Sequence, residues 1–250
     1  MAPEIGKPVF DANSPEPATD LKSQLRPSLY DHSLVTTEYD ALKFHAAASL
    51  QLQFGHPQDS ASPQSDLLIT SPYNDPKHLL DLKTLDIPNQ LLAKAFTILR
   101  PVRDDYATAA YTEAFNWSAA FDFLQYLARF EGYQWEKQHF YVVVFRSRLR
   151  ADIDNQRLHD LDAYSHQEAV ASGGLLKYWF GSKDEERRNL ATCVWRSRND
   201  ARLGGTGPWH KKARGAARDL YETISFTTLK LVIEDDVQAW SFTNWTDKDE

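Results

Sequence analysis

Two copies of the tripeptide Arg-Ser-Arg are the residues of this sequence best suited to hold an anion. Arg146-Ser147-Arg148 follows one apolar segment, and Arg196-Ser197-Arg198 follows another. If those segments are neighbouring parallel strands, side-chain alternation places the four arginines on one sheet face and brings Arg146 and Arg196 together. Guanidinium groups near the positive ends of helices bind carboxylates and phosphates. The alternative is neutralisation in surface ion pairs by the nearby polar residues Asp152, Asp154, Asn199 and Asp200.

A second chemically suggestive group is His159, Asp162 and His166, which share one side of a predicted helix. Seven residues of helix rise about 10 Å, so the two histidines lie too far apart to bind one metal ion comfortably. Asp162 and His166 are four residues apart, and a carboxylate that orients an imidazole in this way supports a general base. The alternative is an ordinary intrahelical pair on a solvated surface.

His210 lies in the first turn of another predicted helix, which Pro208 begins. The helix dipole disfavours a positive charge at that end, so the imidazole should stay neutral. A neutral histidine beside a cavity can accept a proton. It can equally serve to cap the helix or to pack against it.

A glycine-containing loop precedes the same helix. Residues 202–207 read Arg-Leu-Gly-Gly-Thr-Gly, which resembles the pyrophosphate loop of acetyl-CoA-dependent N-acetyltransferases. In such a loop, backbone N–H groups cradle phosphate. The context is unfavourable, because an acetyltransferase loop follows its core strand directly, whereas residues 197–201 intervene here.

The elements that must position these residues follow one another in the order strand, helix, strand, strand, helix, strand. The first predicted strand, residues 140–145, is apolar on both faces and should be central in its sheet. Gly173 and Gly174 should end the first helix. The predicted elements are strands at 140–145, 175–180, 190–195 and 224–234, and helices at 152–171 and from 208 onward. This order predicts an α+β fold with a ferredoxin-like βαββαβ unit.

Composition narrows the class of protein. The 250 residues carry a net charge of −7, which argues against a general nucleic-acid binder. The single cysteine, Cys193, excludes an intramolecular disulfide and a multi-thiolate metal site. Neither a secretory signal nor a membrane-spanning run is evident. We therefore expect a cytoplasmic protein with no membrane partner.

The N-terminal half is harder to interpret. Residues 1–30 are rich in Pro, Ser, Asp and Glu and predict a flexible arm. Residues 31–135 predict an α/β extension, with a loop at 55–64, a strand at 91–102 and a helix at 117–130. This extension could be a degenerate second copy of the unit at 136–250, which would make the chain a pseudo-dimer.

Several segments resemble an uncharacterised family of ascomycete fungal proteins. They are Ala95-Phe96-Thr97 through Pro101, Tyr106-Ala107-Thr108, Ala114-Phe115-Asn116-Trp117, and Val194-Trp195-Arg196-Ser197 through Ala216-Ala217. The resemblance implies a fungal, intracellular origin but no particular activity. The segment from Val194 to the helix near Trp209 also resembles dimeric α+β barrel proteins. That class implies a sheet closed against a partner and a pocket between sheet and helices, and its members include cofactor-free monooxygenases and haem-degrading enzymes.

These observations predict the binding, and a cofactor-independent conversion, of a small aromatic or apolar molecule with an anionic group. Arg146 and Arg196 would hold the anion, and His166 or His210 would move a proton. The expected pocket walls are Phe145, Tyr178 and Trp195. No metal or cofactor is expected. The alternatives are a dimerisation or scaffold module, an N-acetyltransferase and a haem-binding protein. The sheet face opposite the helices should be covered by a second copy or by the N-terminal half.

Overall fold

The computed structural model describes residues 66–73 and 75–246. The predicted arm at 1–30 and the loop at 55–64 lie outside these residues. The strands are β1 (Leu67–Leu68), β2 (Leu80–Asp81), β3 (Gln138–Leu149), β4 (Leu175–Phe180), β5 (Arg188–Trp195), β6 (Tyr221–Ile233) and β7 (Trp240–Asn244). The α-helices are α1 (Ile87–Ala95), α2 (Tyr111–Ala114), α3 (Trp117–Phe130), α4 (Asn155–Ser172), α5 (Arg198–Gly204) and α6 (Pro208–Leu220).

The predicted ferredoxin-like unit is confirmed. Five strands form one antiparallel sheet in the order β4-β5-β3-β6-β7. Strand β3 is central, helix α4 connects it to β4, and helix α6 connects the β5–α5 segment to β6. The βαββαβ order therefore folds as an α+β unit, to which β7 is added at one edge.

Local signals explain the boundaries of helix α4. Asp154 caps its first turn by accepting a hydrogen bond from the Arg157 N–H. Gly173 and Gly174 end it, with φ values of 87° and 78° that disfavour any residue with a Cβ. Helix α6 begins at Pro208, as expected from the fixed φ of proline.

The expected parallel pairing of the two strands that precede the Arg-Ser-Arg tripeptides was wrong. Strand β5 runs antiparallel to β3, so that Arg146 faces Leu190 and Tyr141 faces Trp195. The cause is the β4–β5 hairpin, which reverses the chain before β5 enters the sheet. Arg146 and Arg196 consequently lie toward opposite ends of the strand pair.

The N-terminal part of the described chain covers the sheet face opposite helices α4 and α6. Phe140, Val142 and Val144 on that face belong to the same hydrophobic core as Leu92 and Trp117 from the preceding segment. The prediction that the N-terminal half covers this face is therefore confirmed for the described residues. Whether this half descends from a second copy of the unit stays a prediction.

Within the N-terminal half, helix α3 coincides with the predicted helix at 117–130. The predicted strand at 91–102 was wrong, because this stretch contains the end of helix α1 and a short 3-10 helix at Phe96–Ile98. Asp86 caps α1 and Pro88 lies in its first turn. These start signals precede the predicted strand, so they were missed. None of the helices in the described ranges is long and apolar enough to cross a membrane.

Candidate functional site

A cavity of about 1020 Å³ lies between the sheet and helices α4, α5 and α6. Its volume is at the upper end of the range of about 300–1,000 Å³ that is usual for small-molecule sites. The sheet side is mainly aromatic and aliphatic, whereas the polar side chains come chiefly from the helices. The sheet residues that line it include Tyr141, Val143, Phe145, Tyr178, Phe180, Ala191, Cys193, Trp195 and Phe226.

Five of the predicted site residues line this cavity: Phe145, Tyr178 and Trp195 as walls, and His166 and His210 as candidate proton carriers. The three wall residues share one face because Phe145 pairs with Ala191, Tyr178 pairs with Cys193, and Trp195 pairs with Tyr141. The cavity thus brings together residues that are 65 positions apart in sequence, from Phe145 to His210.

The two predicted anion-binding arginines lie elsewhere. The Arg146 guanidinium points to the covered sheet face, where it donates to the carbonyl oxygens of Ala107 and Ala109, the latter at 2.6 Å. Arg196 donates to both carboxylate oxygens of Asp200, each at 2.9 Å. A shared anion site of Arg146 and Arg196 is therefore not formed.

Asp162 is the hydrogen-bonding centre of the cavity. The hydroxyl groups of Tyr73 and Tyr178 donate to its two carboxylate oxygens, each at 2.5 Å. Burial raises the pKa of Asp162 despite these hydrogen bonds. Burial and the neighbouring carboxylate also raise the pKa values of Tyr73 and Tyr178, which keeps both phenols protonated. The arrangement is a buried carboxylate with heightened basicity, held by two permanent donors.

His166 forms a pair with His78 rather than with Asp162. The two Nδ1 atoms are 2.8 Å apart, and the Gln167 side-chain amide lies 3.1 Å from Nε2 of His78. Burial lowers the pKa of His166 to about 3 and also lowers that of His78. Two neutral rings can share one proton between the Nδ1 atoms, so one donates and the other accepts. The predicted Asp162–His166 pair is replaced by a histidine–histidine pair.

His210 is oriented by Glu168 on helix α4. Glu168 accepts from the backbone N–H groups of Trp209 and His210 at the start of α6, and lies 3.0 Å from Nδ1 of His210. Burial alone would raise the pKa of Glu168, but these hydrogen bonds lower it overall. An ionised carboxylate only accepts, so in the neutral tautomer that this contact favours the His210 proton resides on Nδ1 and Nε2 carries the lone pair.

The cavity is lined by four cationic side chains other than the two predicted to hold the anion. These are Lys183, Arg198, Arg202 and Arg214, and in the described part of the chain Asp162 is the one acidic residue that lines it. The imbalance of charge gives the cavity a positive potential that favours an anionic group. Arg214 is held in place by donating to the Gly205 carbonyl at 2.8 Å.

The glycine-containing loop does not serve as a phosphate cradle here. The Glu168 carboxylate already occupies the start of α6, and a Cβ at Gly207 would overlap it. A Cβ at Gly204 would overlap the Trp195 indole. These glycines allow close packing beside the cavity, and this loop offers no support for an acetyl-CoA site.

Metal and haem ligation receive little support from the side chains present. The described residues contain no group of three or more His, Cys, Asp or Glu arranged to hold a metal ion. His166 projects from a helix toward the cavity, but its Nε2 is buried and has no hydrogen-bond partner. A haem iron would therefore reach this atom only after the surrounding rings moved. Burial raises the pKa of Cys193 to about 12, which makes its thiol a poor nucleophile.

Tyr73, His78 and Glu168 are among the site residues that sequence reasoning missed, as are the cavity-lining cations Lys183, Arg202 and Arg214. Tyr73 and His78 belong to a segment about ninety positions before their partners, and no local periodicity linked the two. Glu168 stands two residues after His166 on the predicted helix. Its signal was available in principle, because a helix start with a buried anchor needs an acceptor for its N–H groups.

The chain is similar in sequence to known proteins. A family model described as PB2B2.08-like matches residues 69–244. The UPF0643 protein PB2B2.08 of Schizosaccharomyces pombe (strain 972) is 32% identical over 195 residues, which cover 73% of this chain and 86% of that protein.

Solved structures of smaller proteins match part of the chain. Rv0793 from Mycobacterium tuberculosis is 19% identical, with a TM-score of 0.33, and the match covers 36% of this chain and 92% of that one. SnoaB, a cofactor-independent oxygenase from Streptomyces nogalater, is 13% identical with a TM-score of 0.30, covering 36% of this chain and 90% of its own.

Proposed function

The chain belongs to the PB2B2.08-like family, and we propose that it binds a small aromatic or apolar molecule with an anionic group and moves a proton to or from it without a cofactor. The observation that supports this proposal is that the two sides of the cavity differ in chemistry. Its sheet side offers aromatic surface, and its helix side offers Asp162 held by Tyr73 and Tyr178.

The proton-transfer step follows from the lone pairs of Asp162. Its carboxylate has about four acceptor positions, of which the two tyrosines use two. A substrate O–H or acidic C–H that reaches a remaining position gives its proton to the carboxylate, which becomes the carboxylic acid while the substrate becomes an anion. The raised pKa of Asp162 brings its basicity closer to that of such a substrate. Tyr73 and Tyr178 fix the carboxylate in position.

The cationic side chains support the recognition of an anionic group. Arg202 and Arg214 line the cavity from helix α5 and helix α6. A substrate carboxylate near them would place the apolar body of the molecule against Phe145 and Trp195. His210, whose Nε2 is left available by Glu168, is a second group that can accept a proton. Stacking against the aromatic walls and charge at one end would together set the orientation.

The experiment is a thermal-shift and native mass spectrometry screen of aromatic carboxylates, each beside its neutral methyl ester. We expect stabilisation by the acids and a weaker effect of the esters. Arg214→Gln should reduce the acid effect several-fold. Arg218→Gln is the matched control, because Arg218 is exposed on the same helix and does not line the cavity. Equal binding of acids and esters, or equal loss in both variants, would refute the anionic recognition.

The proton-transfer part needs its own measurement. For any compound that binds, solvent-exchange of its acidic proton is followed by NMR with wild-type protein and with Asp162→Asn. We expect the protein to accelerate exchange and the variant to lose this acceleration while binding persists. If the wild-type protein bound the compound but did not accelerate its proton exchange, the protein would be a ligand carrier and the proposed catalytic role would be wrong.

A further inference from the structure

The first half of strand β6 has an outer edge that no strand of the described residues covers. Strand β7 pairs with Leu229–Ile233 of β6 and ends there. In the described part of the chain, no strand pairs with the outer edge of residues 221–227, although β3 pairs with their inner edge. All residues from 222 to 227 are exposed. A run of exposed strand residues with an unpaired edge is a ready template for another strand.

Two of the largest exposed apolar side chains belong to this run. Phe226 is 72% exposed and Ile224 is 45% exposed. Natural edge strands are usually protected by charged residues or proline. The segment from Thr223 to Thr228 reads Thr-Ile-Ser-Phe-Thr-Thr and contains neither. An unprotected apolar edge indicates that something covers it in solution.

The sequence of the edge is complementary to itself. In an antiparallel pair centred on Ser225, Ile224 of one copy faces Phe226 of the other, and Thr223 faces Thr227. Aromatic pairs with β-branched residues, and threonine pairs, are among the favourable cross-strand combinations. None of these positions carries a charge, so no like charges meet. Such pairing has two-fold symmetry, which is the commonest form of homodimer.

We propose that two copies of this chain associate through antiparallel pairing of their β6 edges, centred on Ser225. The two sheets become one continuous sheet, and the two-fold axis runs perpendicular to it. Ile224 and Phe226 line the cavity in each copy. Both cavities therefore open on the same side of the joint sheet, and Phe226 of each copy extends the apolar floor of the other. Pairing over so few residues buries less area than a standard interface of about 1,600 Å². The dimer should therefore dissociate on dilution.

The test uses the full chain and two variants that place opposite charges across the proposed pair. Sedimentation or light scattering over a broad concentration range should show a reversible monomer–dimer equilibrium. Ile224→Glu alone and Phe226→Lys alone should each weaken the dimer at least tenfold. An equimolar mixture of the two variants should regain dimer, because the carboxylate introduced at position 224 of one copy then faces the ammonium introduced at position 226 of the other. The second cross-strand pair of that mixed dimer keeps its native residues. Ile87→Glu is the control, since Ile87 is 53% exposed on helix α1.

Recovery in the mixture requires folded variants and the stated register, so it supports the proposal. A wild-type monomer at every concentration overturns it, as does failure of the mixture to recover. Hydrogen exchange at those amides of residues 222–227 that point away from strand β3 shows whether a second copy or another segment of the same chain covers the edge. Protection that grows with concentration supports pairing of two copies. Protection independent of concentration means that the chain covers its own edge, and this overturns the proposal.

Discussion

The Tyr178 hydroxyl donates a hydrogen bond of 2.5 Å to Asp162. This bond joins strand β4, on the sheet side of the cavity, to helix α4 on the opposite side. Tyr73 makes the equivalent bond to the other carboxylate oxygen. The carboxylate is thus held in place at the cost of burial, which raises its pKa. A group held in an unfavourable charge state is typical of functional sites.

Asp162→Asn should separate stability from function. Because the folded-state pKa of Asp162 is raised above 3.8, its contribution to stability is present at low pH and is lost as the pH rises through the raised pKa. The neutral amide lacks this penalty. As the pH rises from about 4 to neutral, the melting temperature of the variant should increase relative to that of wild type. The acceleration of ligand proton exchange should be lost. Thermal unfolding across this range is the measurement. A difference that stays constant with pH would contradict the assignment.

His166→Gln should change the response to acid. Burial lowers the folded-state pKa of His166 from 6.5 to about 3, so the unfolded chain binds a proton in this interval that the folded chain does not. The stabilising contribution is complete above pH 6.5 and is lost as the pH falls toward 3, at up to about 1.4 kcal/mol per pH unit. His78 adds to the slope in the same direction.

Denaturant unfolding between pH 7 and pH 4 measures this slope. His166→Gln should make it shallower, at a cost of about 1 kcal/mol at neutral pH for the lost bond to His78. Ser165→Ala is the control, because it alters the neighbouring buried position and removes no titrating group. An unchanged slope in His166→Gln would show that another group dominates acid unfolding.

Local signals account for the parts of the fold that the sequence predicted. Asp154, Gly173 and Pro208 act within one turn of the helix ends that they define, and the two-sided apolar pattern of β3 reflects its central place. The parallel pairing failed because strand direction is a property of the whole connection, here the β4–β5 hairpin. Helix α5 was missed because its short, charged sequence begins with a cap, Ser197, that was assigned to an anion site.

The cavity residues divide in the same way. Phe145, Tyr178 and Trp195 were predicted as walls because they are aromatic residues of the predicted strands, and the structure places all three on the face that lines the cavity. Tyr73 and His78 were not, because they arrive from a loop and a 3-10 turn whose positions depend on tertiary packing. The anion was expected at Arg146 and Arg196, neither of which lines the cavity, and of the four tripeptide arginines Arg198 alone lines it.

Arg146→Met should lower stability without affecting ligand binding. The guanidinium is partly buried and satisfies the carbonyl oxygens of Ala107 and Ala109, which ties the N-terminal segment to the sheet. Leaving these groups without a donor should cost about 2 kcal/mol. Arg148→Met is the matched control on the same strand, where an exposed ion pair with Glu222 should contribute less than about 1 kcal/mol. Denaturant unfolding gives the stabilities, and weakened binding of aromatic carboxylates in Arg146→Met would return Arg146 to the site.

Two glycine substitutions should have opposite effects on the helices beside the cavity. A Cβ at Gly204 would overlap the Trp195 indole, which is buried and cannot retreat without shifting the cavity wall. Gly204→Ala should therefore cost about 1–3 kcal/mol by overpacking and should also weaken ligand binding, because Trp195 lines the cavity. Gly215 lies within helix α6 with no atom within 4 Å of an added Cβ, so Gly215→Ala should stabilise the protein by up to about 1 kcal/mol. Calorimetry and ligand titration of both variants are the measurements. If Gly204→Ala bound ligand as wild type does, Trp195 would be a packing residue and not a wall of the binding site.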